Sequence, residues 1–474
     1  MPNKKQIKQQ GQVYTPNYLV EIILDSGAYN NYEILQKHVI DNSCGDGAFL
    51  CEIVKRYCNI FLSKYNDLSI LKKQLETYVH GIEIQKEECE KTIVNLNNIV
   101  KQHNLTNIKW DIINSNSLTT TEYNNKMDFV FGNPPYVRIH NLKENYNSAK
   151  KFSFAYKGMT DLYIIFFEIG FNMLKENGKM CIITPSSWLN SKAGEILRNY
   201  IINKKNLYKI IDFKHFQAFE ATTYSLISCF QKSTIYKYVN YYTFNKQTLS
   251  IYFQDNLLTE DFIIGNEFYF LPSKDLELLR KIKTNKNIQY VEVKNGFATL
   301  NDKIFIKDFD FKECTIPVLK ASTGKWSKII FPYYNNGTPM SIADFSRFTN
   351  SYNYLLKHKD ELSKHRDISK KELWYLFGRT QAIRDVFKTK FAINTIIKNI
   401  HSVRLEEVTA GKGVYGGLYI LTKESFKTIK EIIISESFIN YIASLGKYKS
   451  GGYYTFSSKD LELYLNYILG QRYE

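Results

Sequence analysis

Residues 131–136 read Phe-Gly-Asn-Pro-Pro-Tyr, and these residue types could activate a planar amino group toward alkylation. The side-chain oxygen of Asn133 and the carbonyl of Pro134 can both accept hydrogen bonds from one –NH2 group. The prolines fix the backbone and remove competing N–H donors. An –NH2 held by two acceptors turns its nitrogen lone pair out of the ring plane, where it can attack a methyl donor. The ring of Tyr136 can lie on the face of the same substrate.

A glycine turn and an acidic residue provide a candidate site for the methyl donor. Residues 41–50 follow a short predicted strand and begin a predicted helix, so that Gly45 and Gly47 allow a ligand to approach the backbone. Neither the Gly-x-Gly-x-x-Gly pattern nor the Walker pattern is present. Glu83 ends the next predicted strand and could accept hydrogen bonds from both ribose hydroxyls. Each feature alone is also typical of an ordinary turn or a solvated carboxylate, but the combination with residues 133–136 predicts a nucleoside-containing donor.

Alternating strands and helices must position these loops. We predict strands at residues 39–41, 78–83, 108–113, 127–131 and 179–184, and helices at residues 48–64, 87–103 and 161–174. This alternation predicts an α/β fold with a doubly wound, Rossmann-like and largely parallel sheet. Ligands of such sheets bind beyond the carboxyl ends of the strands, which is where the loops described above lie.

The length of 474 residues predicts two domains. From about residue 236 the regular alternation gives way to short aromatic strands, lysine-rich connections and glycine turns. We therefore expect an α/β domain at residues 1–235 and an α+β domain at residues 236–474.

The composition is that of a globular protein with an excess of positive charge. Hydrophobic residues make up 44% of the chain and charged residues 23%, and the formal net charge is +16. Such a surplus favours nucleic acid as a partner, although solubility and the codon bias of an AT-rich genome could also produce it. No apolar run approaches the length of a membrane span, and no signal peptide is evident, so we expect a cytoplasmic protein.

Metal binding is not expected from the sequence. The seven cysteines and eight histidines show no spacing typical of metal ligands. We therefore predict neither a structural nor a catalytic metal site.

The order of these motifs resembles that of the N6-adenine DNA methyltransferases of type II restriction–modification systems, in the gamma class, whose recognition domain is C-terminal. The resemblance implies S-adenosylmethionine as the cofactor and assigns residues 12–16, Gln-Val-Tyr-Thr-Pro, to the motif that closes over its methionine part. Two positions depart from the usual pattern, since Asn42 replaces a proline and Asn116 replaces an aspartate. The implied cofactor contacts are Tyr14, Thr15, Pro16, Asp41, Ser43, Cys44, Gly45, Gly47, Phe49, Glu83, Ile84, Asn116, Ser117 and Asn133.

The resemblance also implies the residues that hold the target base. Catalytic roles fall on Asn133, Pro134, Pro135 and Tyr136. Tyr136 and Phe219 would stack on a base that is flipped out of the duplex. Residues 219–224, Phe-Glu-Ala-Thr-Thr-Tyr, place Phe219 in register with the family motif, while Phe216 is a nearby alternative. Either ring could instead belong to the core.

Four segments of the second half, at residues 296–303, 374–381, 414–417 and 451–459, resemble the recognition domain of the same family. The implied partner is double-stranded DNA. The implied function is transfer of a methyl group to N6 of one adenine in a short sequence, which protects host DNA from a cognate restriction endonuclease. Basic candidates for DNA contacts are Lys320, Lys325, Arg379 and Lys459.

Other proteins also use Asn-Pro-Pro-Tyr, and they define the alternatives. Enzymes that methylate RNA adenines or the glutamine amide of release factors are usually smaller, and would leave about 240 residues here without a role. A DNA-binding protein with an inactive methyltransferase fold is disfavoured because Asn133 and Glu83 are intact. Only about a dozen residues precede Tyr14, too few for a nuclease domain, so we expect any endonuclease to be a separate polypeptide.

Overall fold

The structure is a computed structural model that describes residues 14–142, 145–155, 160–219, 223–285, 289–364 and 372–473. The chain forms two compact units, Met1–Glu277 and Leu278–Glu474. This division differs from the predicted boundary after residue 235, because two strands that follow residue 235 extend the sheet of the first unit.

The first unit contains eleven strands among its described residues, most of them in one sheet. The helices are α1 (Asn17–Ser26), α2 (Ala48–Leu62), α3 (Leu68–Tyr78), α4 (Lys86–Lys101), α5 (Tyr146–Ala149), α6 (Leu162–Met173), α7 (Glu195–Lys204) and α8 (Ser273–Thr284), within which the division between the units falls. The strands are β1 (Val39–Asp41), β2 (Val79–Glu83), β3 (Asp111–Asn114), β4 (Met127–Gly132), β5 (Leu174–Pro185), β6 (Leu207–Asp212), β7 (Ser225–Gln231), β8 (Tyr238–Asn245), β9 (Ser250–Leu258), β10 (Ile263–Ile264) and β11 (Glu267–Phe268).

The large sheet has nine strands in the order β3-β2-β1-β4-β5-β7-β6-β8-β9. The first five of these pair in parallel, whereas β7 is antiparallel to both of its neighbours and β9 is antiparallel to β8. The chain order reverses between β1 and β4, since β2 lies on one side of β1 and β4 on the other. The predicted α/β fold is therefore confirmed, and the predicted elements agree with the observed ones apart from a few residues at their ends.

Helices pack on this sheet through fully buried apolar side chains. In α1 the buried side chains of Leu19, Val20, Ile23 and Leu24 recur at the spacing of one helix face. In contrast, α6 is buried around most of its circumference, so that its sequence lacks a polar face. Such all-round burial is typical of a helix in the centre of a core.

The second unit is built from short strands and helices, in agreement with the predicted α+β character. Its helices are α9 (Asp302–Phe305), α10 (Ile342–Ser346), α11 (Thr349–Leu356), α12 (Lys359–Ser363), α13 (Phe426–Ile433), α14 (Glu436–Ser444) and α15 (Ser458–Tyr473). Its strands are β12 (Val291–Asn295), β13 (Ile306–Lys307), β14 (Thr315–Lys320), β15 (Lys325–Ile330), β16 (Lys390–Ile393), β17 (Ile396–Ile397), β18 (Leu405–Val408), β19 (Gly413–Tyr415), β20 (Leu418–Thr422), β21 (Tyr448–Lys449) and β22 (Tyr453–Thr455).

Three small sheets organise these strands, with the orders β12-β20-β16-β18, β13-β15-β14-β19 and β17-β22-β21. Aromatic rings fill the space beside the second of them. The ring of Phe377 lies 5.2 Å from that of Tyr333 and 6.0 Å from that of Phe331, centroid to centroid. Many of the aromatic residues of this half are therefore core residues. None of the described helices is long and apolar enough to cross a bilayer.

The turn after β1 depends on two glycines with positive φ angles, +56° at Gly45 and +90° at Gly47. A Cβ atom at Gly47 would lie 2.9 Å from the Cγ2 atom of Thr92, which belongs to α4. The turn is therefore fitted against this helix, and its backbone conformation excludes an ordinary side chain.

We expect Gly47→Ala to destabilise the first unit more than Gly265→Ala does. Both residues have a positive φ, which costs an L-residue about 1–2 kcal/mol, but nothing lies within 4 Å of a Cβ atom at Gly265. The contact with Thr92 adds roughly 1–3 kcal/mol to the loss at Gly47. Urea unfolding of the two variants measures this difference, and equal losses would show that the turn does not depend on its packing against α4.

Candidate active site

A cavity of ≈ 460 Å³ lies at the carboxyl ends of β1 to β4, the position at which such sheets bind their ligands. Its walls come mainly from the segments that follow these four strands, and residues 14–15 and α6 complete them. Twelve of the predicted site residues line it, namely Tyr14, Thr15, Ser43, Cys44, Gly45, Phe49, Glu83, Ile84, Asn116, Ser117, Asn133 and Pro135.

Other predicted site residues lie outside the cavity wall. These are Pro16, Asp41, Gly47, Pro134, Tyr136 and Phe219. Pro16 instead precedes α1 and accepts hydrogen bonds from the backbone N–H groups of Leu19 and Val20. Pro134 is buried. The roles assigned to these residues stay predictions.

The turn after β1 is held in place by hydrogen bonds from two other elements. The backbone N–H of Gly45 donates to Glu83 at the end of β2, at 2.9 Å. From α4, the hydroxyl of Thr92 donates to the carbonyl of Gly45 and the amide of Asn95 to that of Asp46, both at 2.8 Å. The turn is therefore preorganised, so that a ligand need not order it.

Glu83 is a buried carboxylate whose two oxygens are oriented by the backbone. One oxygen accepts from Gly45 N–H and the other from Gln85 N–H, each at 2.9 Å. Burial raises the pKa of Glu83, and these two hydrogen bonds oppose the rise. A carboxylate oxygen can accept more than one hydrogen bond, so the geometry is compatible with two ribose hydroxyls.

Asn116 lies in the segment after β3, where it lines the cavity, and both its amide oxygen and its amide nitrogen are hydrogen-bonded. Its Oδ1 accepts from the backbone N–H of Leu118 at 3.0 Å, and its Nδ2 donates to Oδ1 of Asn145 at 2.9 Å. The next residue, Ser117, donates its hydroxyl to the carbonyl of Asn42 at 2.5 Å. These contacts tie the segment after β3 both to the turn after β1 and to residue 145.

The sequence did not indicate the segment around Asn145. Asn141, Leu142 and Asn145 line the cavity, and they follow residues 133–136 by way of a short 3-10 helix, Ile139–Asn141. No recognisable pattern marks these residues. By contrast, Asn42 and Asp46 also line the cavity and lie within the turn that the sequence had already indicated.

Asn133 follows β4 directly and is oriented by the N-terminal motif. Its Nδ2 donates to the hydroxyl of Thr15 at 3.2 Å, and Thr15 is buried. The hydrogen bond directs the amide nitrogen toward Thr15 and thereby distinguishes it from the amide oxygen. Immediately before Asn133, a Cβ atom at Gly132 would lie 2.8 Å from Oδ1 of Asp41, so β4 and β1 approach closely here.

The rings of Tyr136 and Phe219 are in contact. Their centroids are 6.2 Å apart and their planes differ by 69°, which is an edge-to-face arrangement. The ring of Phe216 instead lies 4.9 Å from that of Phe244 and 6.2 Å from that of Phe213. This geometry favours Phe219 over Phe216 as the partner of Tyr136. Burial raises the pKa of Tyr136, so its hydroxyl stays protonated.

Parts of two predicted motifs, Gln12 and Val13 at the N-terminus and Glu220, Ala221 and Thr222 after Phe219, lie outside the described residues. Within the part of the chain that the structure describes, no group of three or more His, Cys, Asp or Glu side chains could hold a metal ion.

The four basic residues predicted to contact DNA lie in the second unit. Lys320 and Lys325 are paired at the turn end of the β14–β15 hairpin. Lys325, Arg379 and Lys459 are exposed, and Lys459 is the second residue of α15. Their contacts with DNA stay predictions.

Asp41 is a buried acid beside the cavity. It is 1% exposed, and its Oδ1 accepts from the backbone N–H of Ser43 at 3.0 Å. Burial raises the pKa of Asp41 to about 7, with a further contribution from the negative charges of Glu83 and Asp46. Asp41 can therefore change its charge near neutral pH, next to the turn that we assign to the donor.

We expect Asp41→Asn to become more stable than the unmodified chain as pH rises. A folded-state pKa near 7, against 3.8 in the unfolded chain, means that the unfolded state releases the proton first. The contribution of Asp41 to stability is therefore complete below pH 4 and is lost between about pH 4 and pH 7. Urea unfolding of both chains should show that the difference in their free energies of unfolding grows by roughly 4 kcal/mol at most over this pH range. A difference that does not depend on pH would contradict a raised pKa.

Comparisons with known proteins agree with this site. The sequence profile of the family described as Eco57I restriction-modification methylase matches residues 49–219, which include Glu83 and the motif at residues 133–136 and begin just after the turn that follows β1. The match also confirms S-adenosylmethionine as the predicted cofactor.

Two similar chains belong to restriction–modification systems. The type II methyltransferase M.BstVI of Geobacillus stearothermophilus is 25% identical over 425 residues, which cover 78% of this chain and 74% of that one. The type II restriction enzyme and methyltransferase RM.Eco57I of Escherichia coli is 23% identical over 500 residues, 82% of this chain and 49% of that one. The chain thus spans about three quarters of the first relative and about half of the second.

A solved structure has a similar fold. The type IIL restriction-modification enzyme MmeI, in complex with DNA, aligns with a TM-score of 0.62 at 11% sequence identity, over 93% of this chain and 65% of that one. At this identity the likeness concerns the fold. Residues 49–219 are thus similar to a restriction-modification methylase domain, and the comparisons support the prediction of a type II DNA methyltransferase.

Proposed function

We propose that this methyltransferase acts on DNA and transfers a methyl group from S-adenosylmethionine to N6 of one adenine within a short duplex sequence. The observation that carries the proposal is the position of Asn133. Its side chain leaves the end of β4 and lines the same cavity as Glu83 and Gly45, so an activated amino group would meet the methyl donor there.

The residues present fit the donor. Glu83 and Gly45 offer acceptors and close backbone approach to a ribose, and apolar side chains such as Phe49 and Leu162 provide walls for a purine. The carboxylates of Asp46 and Glu83 favour a cationic ligand over an anionic one. When bound, S-adenosylmethionine supplies a methyl group on a positively charged sulfur, which leaves as a neutral thioether.

The catalytic motif would act by orientation rather than by acid–base chemistry. The side-chain oxygen of Asn133 and the carbonyl of Pro134 accept the two amino hydrogens and direct the nitrogen lone pair toward the methyl group. Fixed geometry of this kind contributes through proximity and preorganised electrostatics. No histidine or carboxylate occurs at residues 133–136, and none is required, because the surplus proton can leave to water after the transfer.

The target adenine must leave the duplex to reach this site, at a cost of a few kcal/mol. Stacking on Tyr136 and Phe219 would offset that cost. A base between two parallel rings needs about 3.5 Å on each side, and the present edge-to-face contact leaves no such gap. The ring of Phe219 must therefore turn or move away from Tyr136 when a base enters.

The proposed role is protection of host DNA. Methylation of a recognition sequence would prevent its cleavage by a cognate restriction endonuclease, which we propose to be a separate polypeptide. We propose that the second unit recognises the DNA sequence, because four of its segments resemble the recognition domain of the family.

We expect the chain to methylate the genome of a host that lacks DNA methylation. Expression there, followed by sequencing that detects modified bases, should reveal N6-methyladenine in one short motif. Asn133→Ala should lower methylation by at least about a hundredfold, because one of the two acceptors is lost, while calorimetry finds donor affinity nearly unchanged. Asn59→Ala, at an exposed position of α2, provides the matched control. Methylation by Asn133→Ala at the unmodified rate would refute the assignment.

We expect Phe219→Ala to impair base capture more than Phe216→Ala does, because the ring of Phe219 lies against Tyr136 whereas that of Phe216 lies against Phe244. A duplex with 2-aminopurine at the target position reports flipping as an increase in fluorescence. Phe219→Ala should reduce this increase without weakening donor binding. If Phe216→Ala instead removes the signal, the register assigned to residues 219–224 is wrong.

A further inference from the structure

A second cavity, of ≈ 510 Å³, lies within the second unit. It is formed by the end of β12, by the segment at residues 380–388 and by the first residue of α15. The residues that line it are Val293, Lys294, Asn295, Thr380, Gln381, Ala382, Arg384, Asp385, Lys388 and Ser458.

The cavity has a surplus of positive charge. Three cationic side chains, of Lys294, Arg384 and Lys388, line the cavity with one carboxylate, that of Asp385, while Lys294 also pairs with Glu292, outside the lining, at 2.9 Å. The buried Asp385 binds Nζ of Lys294 at 3.1 Å and Nζ of Lys388 at 2.8 Å, so it fixes both ammonium groups. Arg384 is exposed and presents the five N–H donors of its guanidinium. Such a set of charges favours an anion.

The segment that carries Arg384 is held at both ends. At its start, the backbone N–H of Arg379 donates to the carbonyl of Ala298 at 3.2 Å, and Nε2 of Gln381 donates to that of Gly296 at 2.6 Å. At its end, the buried Nζ of Lys390 donates to the carbonyls of residues 385 and 388, both at 2.8 Å. The segment is therefore a rigid platform.

Ala382, in the middle of this segment, has a φ of +67°. A left-handed conformation costs a residue with a Cβ atom about 1–2 kcal/mol. Such strain persists only where the surroundings determine the backbone, and it is concentrated at functional sites. Here it separates Gln381, which binds Gly296, from Arg384, which lines the cavity and is exposed.

The four segments that resemble a recognition domain meet around this cavity. Gln381 and Ser458 belong to two of them and line the cavity, while Gly296 of the third lies next to Asn295 in its wall. Gly296 donates its backbone N–H to the carbonyl of Gly417, in the fourth segment, at 3.0 Å. Two of the basic residues predicted to contact DNA, at positions 379 and 459, directly neighbour lining residues.

We propose that this cavity binds one phosphodiester group of the DNA backbone, with Arg384 as its principal contact and with Lys388 and the hydroxyl of Thr380 beside it. The proposal rests on the proposed function, since it presupposes DNA as the partner. A phosphate fits better than a base edge, because the amide nitrogen of Gln381, a side chain suited to reading adenine, is engaged by Gly296. The cavity thus positions the DNA and carries no sequence information of its own.

The dependence of DNA affinity on salt tests the proposal directly. Each phosphate contact contributes about −0.9 to the slope of log affinity against log salt concentration. We expect Arg384→Gln to reduce the magnitude of this slope by about 0.9, and affinity at 0.1 M salt about eightfold, equally for any duplex sequence. Arg384→Lys keeps the charge and should retain the slope. Lys427→Gln, at an exposed position of α13, removes the same charge elsewhere and should have no such effect.

The possible outcomes separate this proposal from the proposed function. An unchanged slope for Arg384→Gln, with DNA binding and methylation intact, overturns only the phosphate site. An unchanged slope with altered sequence preference also overturns it and assigns Arg384 to base reading. If the unmodified chain neither binds DNA in a salt-dependent manner nor methylates it, the proposed function fails as well. A loss of slope with Lys427→Gln equal to that with Arg384→Gln would show a general charge effect and reject the site.

Discussion

The position of β1 between two parallel neighbours is the constraint on which the rest of the first unit depends. Because β1 pairs in parallel with both β2 and β4, the carboxyl ends of all three strands meet at one edge of the sheet. The turn after β1, Glu83 and Asn133 are far apart in the sequence and meet only for this reason. The cavity that we propose for the donor and the residues that we propose to activate an amino group therefore share one wall without any long connecting loop.

Sequence reasoning predicts this part of the fold well because its signals are local. Short apolar strands, the glycine turn and the strand-end acid each lie on the element that positions them. The return of the chain from residue 137 to residue 145 has no such signal, because Asn145 reaches the cavity only through the packing of the whole unit. Likewise, the sequence of β8 and β9 resembles that of the irregular second half of the chain, but both strands belong to the nine-stranded sheet of the first unit.

In the second unit, the residues that the sequence makes easiest to recognise are buried and structural. Its most recognisable residues, such as Trp374 and Phe377, are 2% and 4% exposed, and they form the core. The residues left to contact a partner are the polar ones that follow them. Arg384 belongs to no motif, and the contact that we propose for it can be inferred only once the positions of Gly296, Gln381 and Asp385 are known. In this unit the residues that resemble the family motifs mark the structural core, whereas the proposed DNA contact is inferred from the charged residues of the cavity.

Asn116 stands where the family resemblance implies an aspartate, and the structure shows what this difference does to the charge and the hydrogen bonds of the cavity. Burial and mutual repulsion already raise the pKa of Asp41, and burial also raises that of Asp46. A carboxylate at position 116 would add a further acid and would face the side-chain oxygen Oδ1 of Asn145, to which it could not donate a hydrogen bond when ionised. The amide instead donates to Asn145 and still presents an oxygen. Asn116 thus links the cavity of the first unit to the segment after residues 133–136, and it does so without adding negative charge.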